Sequence, residues 1–128
     1  MPEEHKKILC VDFDGVIHSY TSPWKGCDVI PDEPVKGAFN FLQEALKHFD
    51  VQIYSSRSKE SKGITAMSQW FDKFGLDFDM NPNIQFASEK PAAFLTIDDR
   101  AICFEGRWPN AGKLTRFVPW NKEEVSNA

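Results

Sequence analysis

The sequence predicts an α/β fold organised on a parallel sheet, as a single domain over residues 1–128. Three observations predict it. The stretch Ile8-Leu9-Cys10-Val11-Asp12-Phe13-Asp14-Gly15-Val16 runs from apolar residues straight into two carboxylates and a glycine. A second apolar run, Ala93-Phe94-Leu95-Thr96-Ile97, ends in Asp98-Asp99-Arg100. Between them, helical periodicity alternates with a short strand-like run. Continuous apolar runs suit strands buried on both faces, as parallel strands are. Alternation of strand and helix argues for right-handed parallel connections.

The elements follow in order. Residues 1–6 read as a frayed terminus, and the first strand covers about 7–13. Val16 to Ile30 is irregular and long for a plain connection. It is expected to hang as a flap over the carboxyl end of the first strand, with Tyr20 and Trp24 able to touch a ligand. Asp32 followed by Pro34 is a helix start. Val35, Ala38, Phe39, Leu42, Ala45, Leu46 and Phe49 then lie on one face of a helix of about 15 residues. Val51-Gln52-Ile53-Tyr54 is a second strand, ending in Ser55-Ser56-Arg57-Ser58. A second helix runs from about Ser58 to Phe74, with Ile64, Met67, Phe71 and Phe74 on one face and Gly75 as its C-terminal cap. Residues 76–83 read as a polar turn, and Ile84-Gln85-Phe86 as a third strand. After Arg100 the pattern weakens. Ala101 to Phe104 is apolar, Arg107-Trp108-Pro109-Asn110 is a turn, Leu114 to Trp120 is mixed, and the last eight residues read as loose.

Bulk composition excludes several classes. A net charge of −4 without any basic run argues against a large nucleic-acid footprint. The start lacks the apolar stretch of a signal peptide, and no run approaches the roughly 18 residues of a membrane span. A cytoplasmic protein without membrane contact is therefore expected. The cysteines Cys10, Cys27 and Cys103 are odd in number and lack Cys-x-x-Cys pairing, which argues against zinc. Cys10 and Cys103 lie in apolar stretches and read as buried free thiols.

The chemistry begins at Asp12 and Asp14. Residues two apart in an extended chain point to the same side. Two such charges repel unless a cation sits between them, and Mg²⁺ is the cation that prefers carboxylate and carbonyl oxygen. Gly15 lets the chain turn away at once. In a parallel sheet the strand ends converge over one crevice. Asp12 and Asp14 end the first strand, Ser55 the second, and Asp98 and Asp99 the last, with Lys90 just before it.

This order, over roughly residues 7–100, resembles the haloacid dehalogenase (HAD) superfamily of phosphotransferases. Its pattern is Asp-x-Asp, an apolar strand with Ser or Thr, a Lys, then an acidic pair. The resemblance implies a three-layer Rossmann-like sheet with helices on both faces. It also implies a Mg²⁺-dependent phosphohydrolase that forms an aspartyl-phosphate on a phosphomonoester. Asp12 would be the nucleophile, and Asp14 the acid that protonates the leaving oxygen and then activates water. Ser55 would hydrogen-bond the phosphoryl oxygens, with Ser56 as its nearest competitor, and Lys90 would neutralise them. Lys90 stands only eight residues before Asp98, where many members place a whole helix. Mg²⁺ would be held by Asp12, the backbone carbonyl of Asp14, and Asp98, with Asp99 direct or through water. Arg57 reads either as a salt-bridged residue or as a ligand for a second phosphate or leaving group; Arg100 reads as structural. His5, His18 and His48 have no partner pattern and read as non-catalytic.

The gaps between motifs leave no room for a cap domain, so the resemblance is to a compact, uncapped member. An open site suits large substrates or borrows a neighbouring subunit as a lid. The expected partner is a phosphorylated nucleotide, nucleic-acid end, sugar phosphate or phosphoprotein, with a homo-oligomer left open. The competing expectation is a non-enzymatic phosphoacceptor or ligand-binding module on a related α/β fold. Receiver-type modules place the acidic pair early and the phosphoacceptor on a middle strand, the reverse of the order here.

Overall fold

The computed structural model describes residues 6–75 and 83–122. Strands Ile8–Val11 (β1), Asp50–Ile53 (β2), Gln85–Phe86 (β3) and Leu95–Ile97 (β4) form one sheet in the order β3-β2-β1-β4. Every pairing is parallel; β1 sits between β2 and β4, with Val11 opposite Ile53 on one side and Ile97 on the other. The helices are Ala38–Ala45 (α1), Ser61–Lys73 (α2) and the short Ala111–Leu114 (α3).

The first helix is shorter than the sequence predicts. Gly37 takes φ 86°, which helical backbone cannot, so α1 begins at Ala38 rather than near Pro34. Asp32 does not cap it; its carboxylate accepts from the backbone N–H (2.8 Å) and hydroxyl (2.6 Å) of Ser22. The second helix is divided. Ser56–Lys59 forms a 3₁₀ turn, capped by the Ser55 side chain, before α2 starts at Ser61. Gly63 leaves room for the backbone of Arg57, where a Cβ would collide with its carbonyl, so α2 packs tightly on that turn. Gly75, at φ 77°, follows the helix end as its position implied. The turn expected at 76–83 falls almost wholly outside the described residues, as do His5 and most of the loose terminus.

Leu9 and Val11 share a face of the sheet with their partners Val51 and Ile53. All four join one buried cluster with Leu42 and Ala45 of α1 and Met67, Trp70 and Phe71 of α2. Phe13 meets Trp70 edge-on at 5.0 Å. Burying each large side chain contributes about 1.5–3 kcal/mol. The topology explains why both helices lie on this face. The chain steps from β1 to β2 to β3 in one direction, and right-handed crossovers in one direction stack their helices on one side.

The expectation for the last strand is corrected. β4 is not a buried run: Phe94 and Leu95 are 60% and 54% exposed. It is an edge strand, and the connection into it, residues 87–94, carries no helix to cover the second face. Among the described residues no helix of α1's length lies there, and residues 101–117 are exposed throughout. Cys103 is accordingly exposed rather than buried, whereas Cys10 is buried as expected.

Candidate active site

The strand order reverses between β1 and β4. In open α/β sheets such a reversal opens a crevice beyond the carboxyl ends of the two strands, where ligands bind. Asp12 follows β1, and Asp98 and Asp99 follow β4. The backbone N–H of Asp12 donates to the carbonyl of Ile97 at 3.0 Å, which ties the two ends together. As a result, Asp12, Asp98 and Asp99 each offer a carboxylate oxygen within 4.8 Å of the others. Gly15, at φ 81°, packs its Cα against the Asp99 carboxylate, where any Cβ would overlap it.

A cavity of about 210 Å³ opens beside these groups. Asp12, Asp14 and Asp99 line one part, Ser55 and Ser56 come from the end of β2, Tyr20 and Trp24 from the flap, and Arg100 is the cation on its wall. The flap therefore reaches the crevice, as its length suggested.

Burial, together with the neighbouring charge of Asp98, pushes the Asp12 carboxyl up to about 8. Burial also raises Asp99, which shares a hydrogen bond with Asp12. Carboxyls crowded in this way retain protons unless a cation replaces them. Three hard oxygen donors gathered in this way could hold a divalent cation, and Asp12, Asp98 and Asp99 are the residues that offer them.

Asp14 is placed differently from its partner in the motif. Arg57 Nε donates to its two oxygens at 3.1 and 2.9 Å, and His18 Nδ1 lies 2.9 Å from Oδ1. Arg57 is only 1% exposed. Its Nη1 donates to the carbonyls of Gly26, Cys27 and Val29, and its guanidinium lies 4.5 Å from the centre of the Trp24 ring. Of the two expectations for Arg57, the salt-bridged residue is therefore the one observed. It does not line the cavity as a phosphate ligand; it pins the flap to Asp14.

Ser55 is buried, and its Oγ accepts from the Arg57 N–H at 3.1 Å. Its hydroxyl proton remains free to donate into the cavity it lines. Lys90 is exposed and is absent from the cavity wall; its charge is felt at Cys10, whose thiol burial pushes up. The sequence placed Lys90 on the connection into β4, and without a helix there nothing draws it over the crevice.

Sequence reasoning missed His18. It is fully buried, stacks 5.5 Å from the Phe13 ring, touches Asp14 through Nδ1 and accepts the Asp32 N–H at Nε2, 3.0 Å. Burial alone would raise Asp32; the Ser22 bonds and His18 outweigh it and hold the carboxyl below its usual range. The only sequence signal was the apolar pair Val16-Ile17 just before His18, inside a stretch otherwise read as loop.

No family model, no curated protein and no solved structure matches the chain. Its own geometry defines an open, all-parallel α/β sheet, compatible with a Rossmann-like fold, with an acidic crevice at the switch point. Among the described residues no helix is long and apolar enough to cross a membrane.

Proposed function

We propose that the protein is a Mg²⁺-dependent phosphohydrolase of the HAD type, acting on a phosphomonoester through an aspartyl-phosphate. One observation carries the reading: three carboxylates gather within 4.8 Å at the strand-order reversal, beside a serine at the end of the adjacent strand. Asp12 is the nucleophile. It must be ionised to attack, and its carboxyl stands at about 8 without a cation beside it. A bound Mg²⁺ would supply the positive charge that ionises Asp12 and offsets charge on the phosphoryl oxygens. Asp98 and Asp99 would hold the ion with Asp12. Ser55 donates its hydroxyl to a phosphoryl oxygen, and Arg100 is the cation available on the cavity wall.

Asp14 is the proton carrier of this proposal. Arg57 Nε donates to both of its oxygens and fixes the carboxylate beside the flap; Oδ2, which among the described residues takes that bond alone, keeps a lone pair for the proton. The engagement of Asp14 by Arg57 and His18 favours a second reading, a phosphoacceptor in which Asp14 anchors the flap and the phosphoryl group on Asp12 is kept.

Turnover of p-nitrophenyl phosphate separates the readings. Steady Mg²⁺-dependent release, abolished in Asp12→Asn, is expected of the phosphohydrolase. A single stoichiometric burst without turnover identifies the phosphoacceptor. No release at all, with or without Mg²⁺, would sink both.

A further inference from the structure

Three consecutive residues late in the chain donate hydrogen bonds to the loop that follows β1. Trp120 Nε1 donates to the Gly15 carbonyl at 2.7 Å. Asn121 Nδ2 donates to the carbonyls of Ser19 (2.8 Å) and Tyr20 (3.1 Å). Lys122 Nζ donates to the Tyr20 carbonyl at 2.6 Å and lies 4.4 Å from the centre of the Tyr20 ring. These bonds span 101 to 105 residues of sequence, and all end on backbone carbonyls.

The carbonyls they choose belong to the walls of the crevice. Gly15 is the residue whose Cα abuts the Asp99 carboxylate. Tyr20 lines the cavity and holds φ 54°, a backbone conformation that residues other than glycine rarely adopt. Such a conformation persists only where its surroundings over-determine it. Here two donors on its carbonyl and an ammonium at its ring do so. Asn121 points the same way. Among the described residues no donor reaches its buried Oδ1, an arrangement that costs stability. The amide is explained by the two carbonyls its nitrogen holds, not by its contribution to the fold. None of the three residues belongs to the hydrophobic core.

We propose that Trp120-Asn121-Lys122 is a strap of positioning residues that sets both walls of the crevice. Trp120 holds Gly15 against Asp99, and so steadies the acidic wall. Asn121 and Lys122 hold Tyr20, and so set the wall that a substrate's leaving group meets. The kinetic consequence rests on the phosphohydrolase reading; the coupling of strap to loop does not.

The test compares the full chain with Asn121→Ala/Lys122→Met and with Lys122→Arg, by two readouts. Hydrogen exchange is followed over residues 13–22 and over α2, and KM and kcat are measured on p-nitrophenyl phosphate with Mg²⁺. In the double variant, exchange over 13–22 is expected to quicken about tenfold or more while α2 is unchanged. KM is expected to rise about tenfold with kcat within about threefold. Lys122→Arg keeps the cation and donor and is expected to behave as the unaltered chain. Unaltered exchange over 13–22 overturns the strap. Equal acceleration in α2 overturns it too, by making these residues general stabilisers. Quicker loop exchange with unchanged KM and kcat overturns the positioning role. If the unaltered chain turns nothing over but its loop still loosens in the double variant, the phosphohydrolase reading fails and the strap stands.

Discussion

Asp12 carries opposite demands from folding and from the proposed chemistry. Its carboxyl stands at about 8 in the fold, against an ordinary value of 3.8. The unfolded chain therefore releases this proton first. Without a divalent ion, the stability this group contributes is full below about pH 4 and is lost as pH rises through 8. Asp12→Asn removes the titration. The variant is expected to lose all turnover yet to melt higher than the unaltered chain at pH 8 without Mg²⁺, with the gap closing toward pH 4. Equal melting temperatures at both pH values would show that the crowding of Asp12 is not felt. Arg57 makes the opposite case. Arg57→Met leaves Asp14 with His18 alone and frees three flap carbonyls. Breaking a buried pair by removing one partner costs about 3–5 kcal/mol. Denaturant unfolding should register a loss of that size, and a loss below about 1 kcal/mol, the scale of exposed pairs, would mean the ion pair is solvated.

Among the elements, α2 packs on the sheet through its aromatic side chains. Phe71 is fully buried and meets Phe13, Trp70, Phe39 and Phe86, so it joins β1, α1 and the end of β3. Phe71→Ala is expected to cost about 3–5 kcal/mol, read as a lower denaturant midpoint with little change in slope. The turn after β1 is the second decisive element. Gly15→Ala would place a methyl on the Asp99 carboxylate and strain a backbone at φ 81°. Loss of Mg²⁺ affinity is the expected outcome, measured by calorimetric titration; unchanged affinity would mean that Asp99 moves aside freely. Much at this scale was legible. The apolar runs at 8–11 and 51–53 are strands, and the spacing of Ile64, Met67, Phe71 and Phe74 marks the inner face of α2, where Met67 and Phe71 are buried, Ile64 and Phe74 are partly buried, and the buried Trp70 was not read from the pattern. The start of α1 was misread because Asp32-Pro34 has the chemistry of a cap, while Gly37 in a left-handed conformation resets the helix.

Across the whole molecule, three carboxylates brought together from two strand ends make the fold depend on what neutralises them. A ligand that binds only the folded state adds about 2.7 kcal/mol at a hundred times its dissociation constant. Mg²⁺ is expected to raise the melting temperature, and more so as pH rises from 4 to 8, because it competes with the proton on Asp12. The rise should vanish in Asp98→Ala. A pH-independent shift that survives this substitution would place the metal elsewhere.

The sequence by itself determined the parallel α/β class, the order of the strand ends and the acidic residues at them. Those follow from local pattern: apolar runs that end in carboxylates are visible without any contact. It also marked the flap, since its length fits no plain connection. Only the tertiary structure decided what each polar group meets. Asp14 and Arg57 are 43 residues apart, and nothing local sets their pairing. His18 became buried because Phe13 and Trp70 close around it, and Lys90 stayed exposed because no helix covers the approach to β4. Trp120 reaches Gly15 across 105 residues. A strand end is a local property of the chain; the partner of a charge is a property of the folded whole.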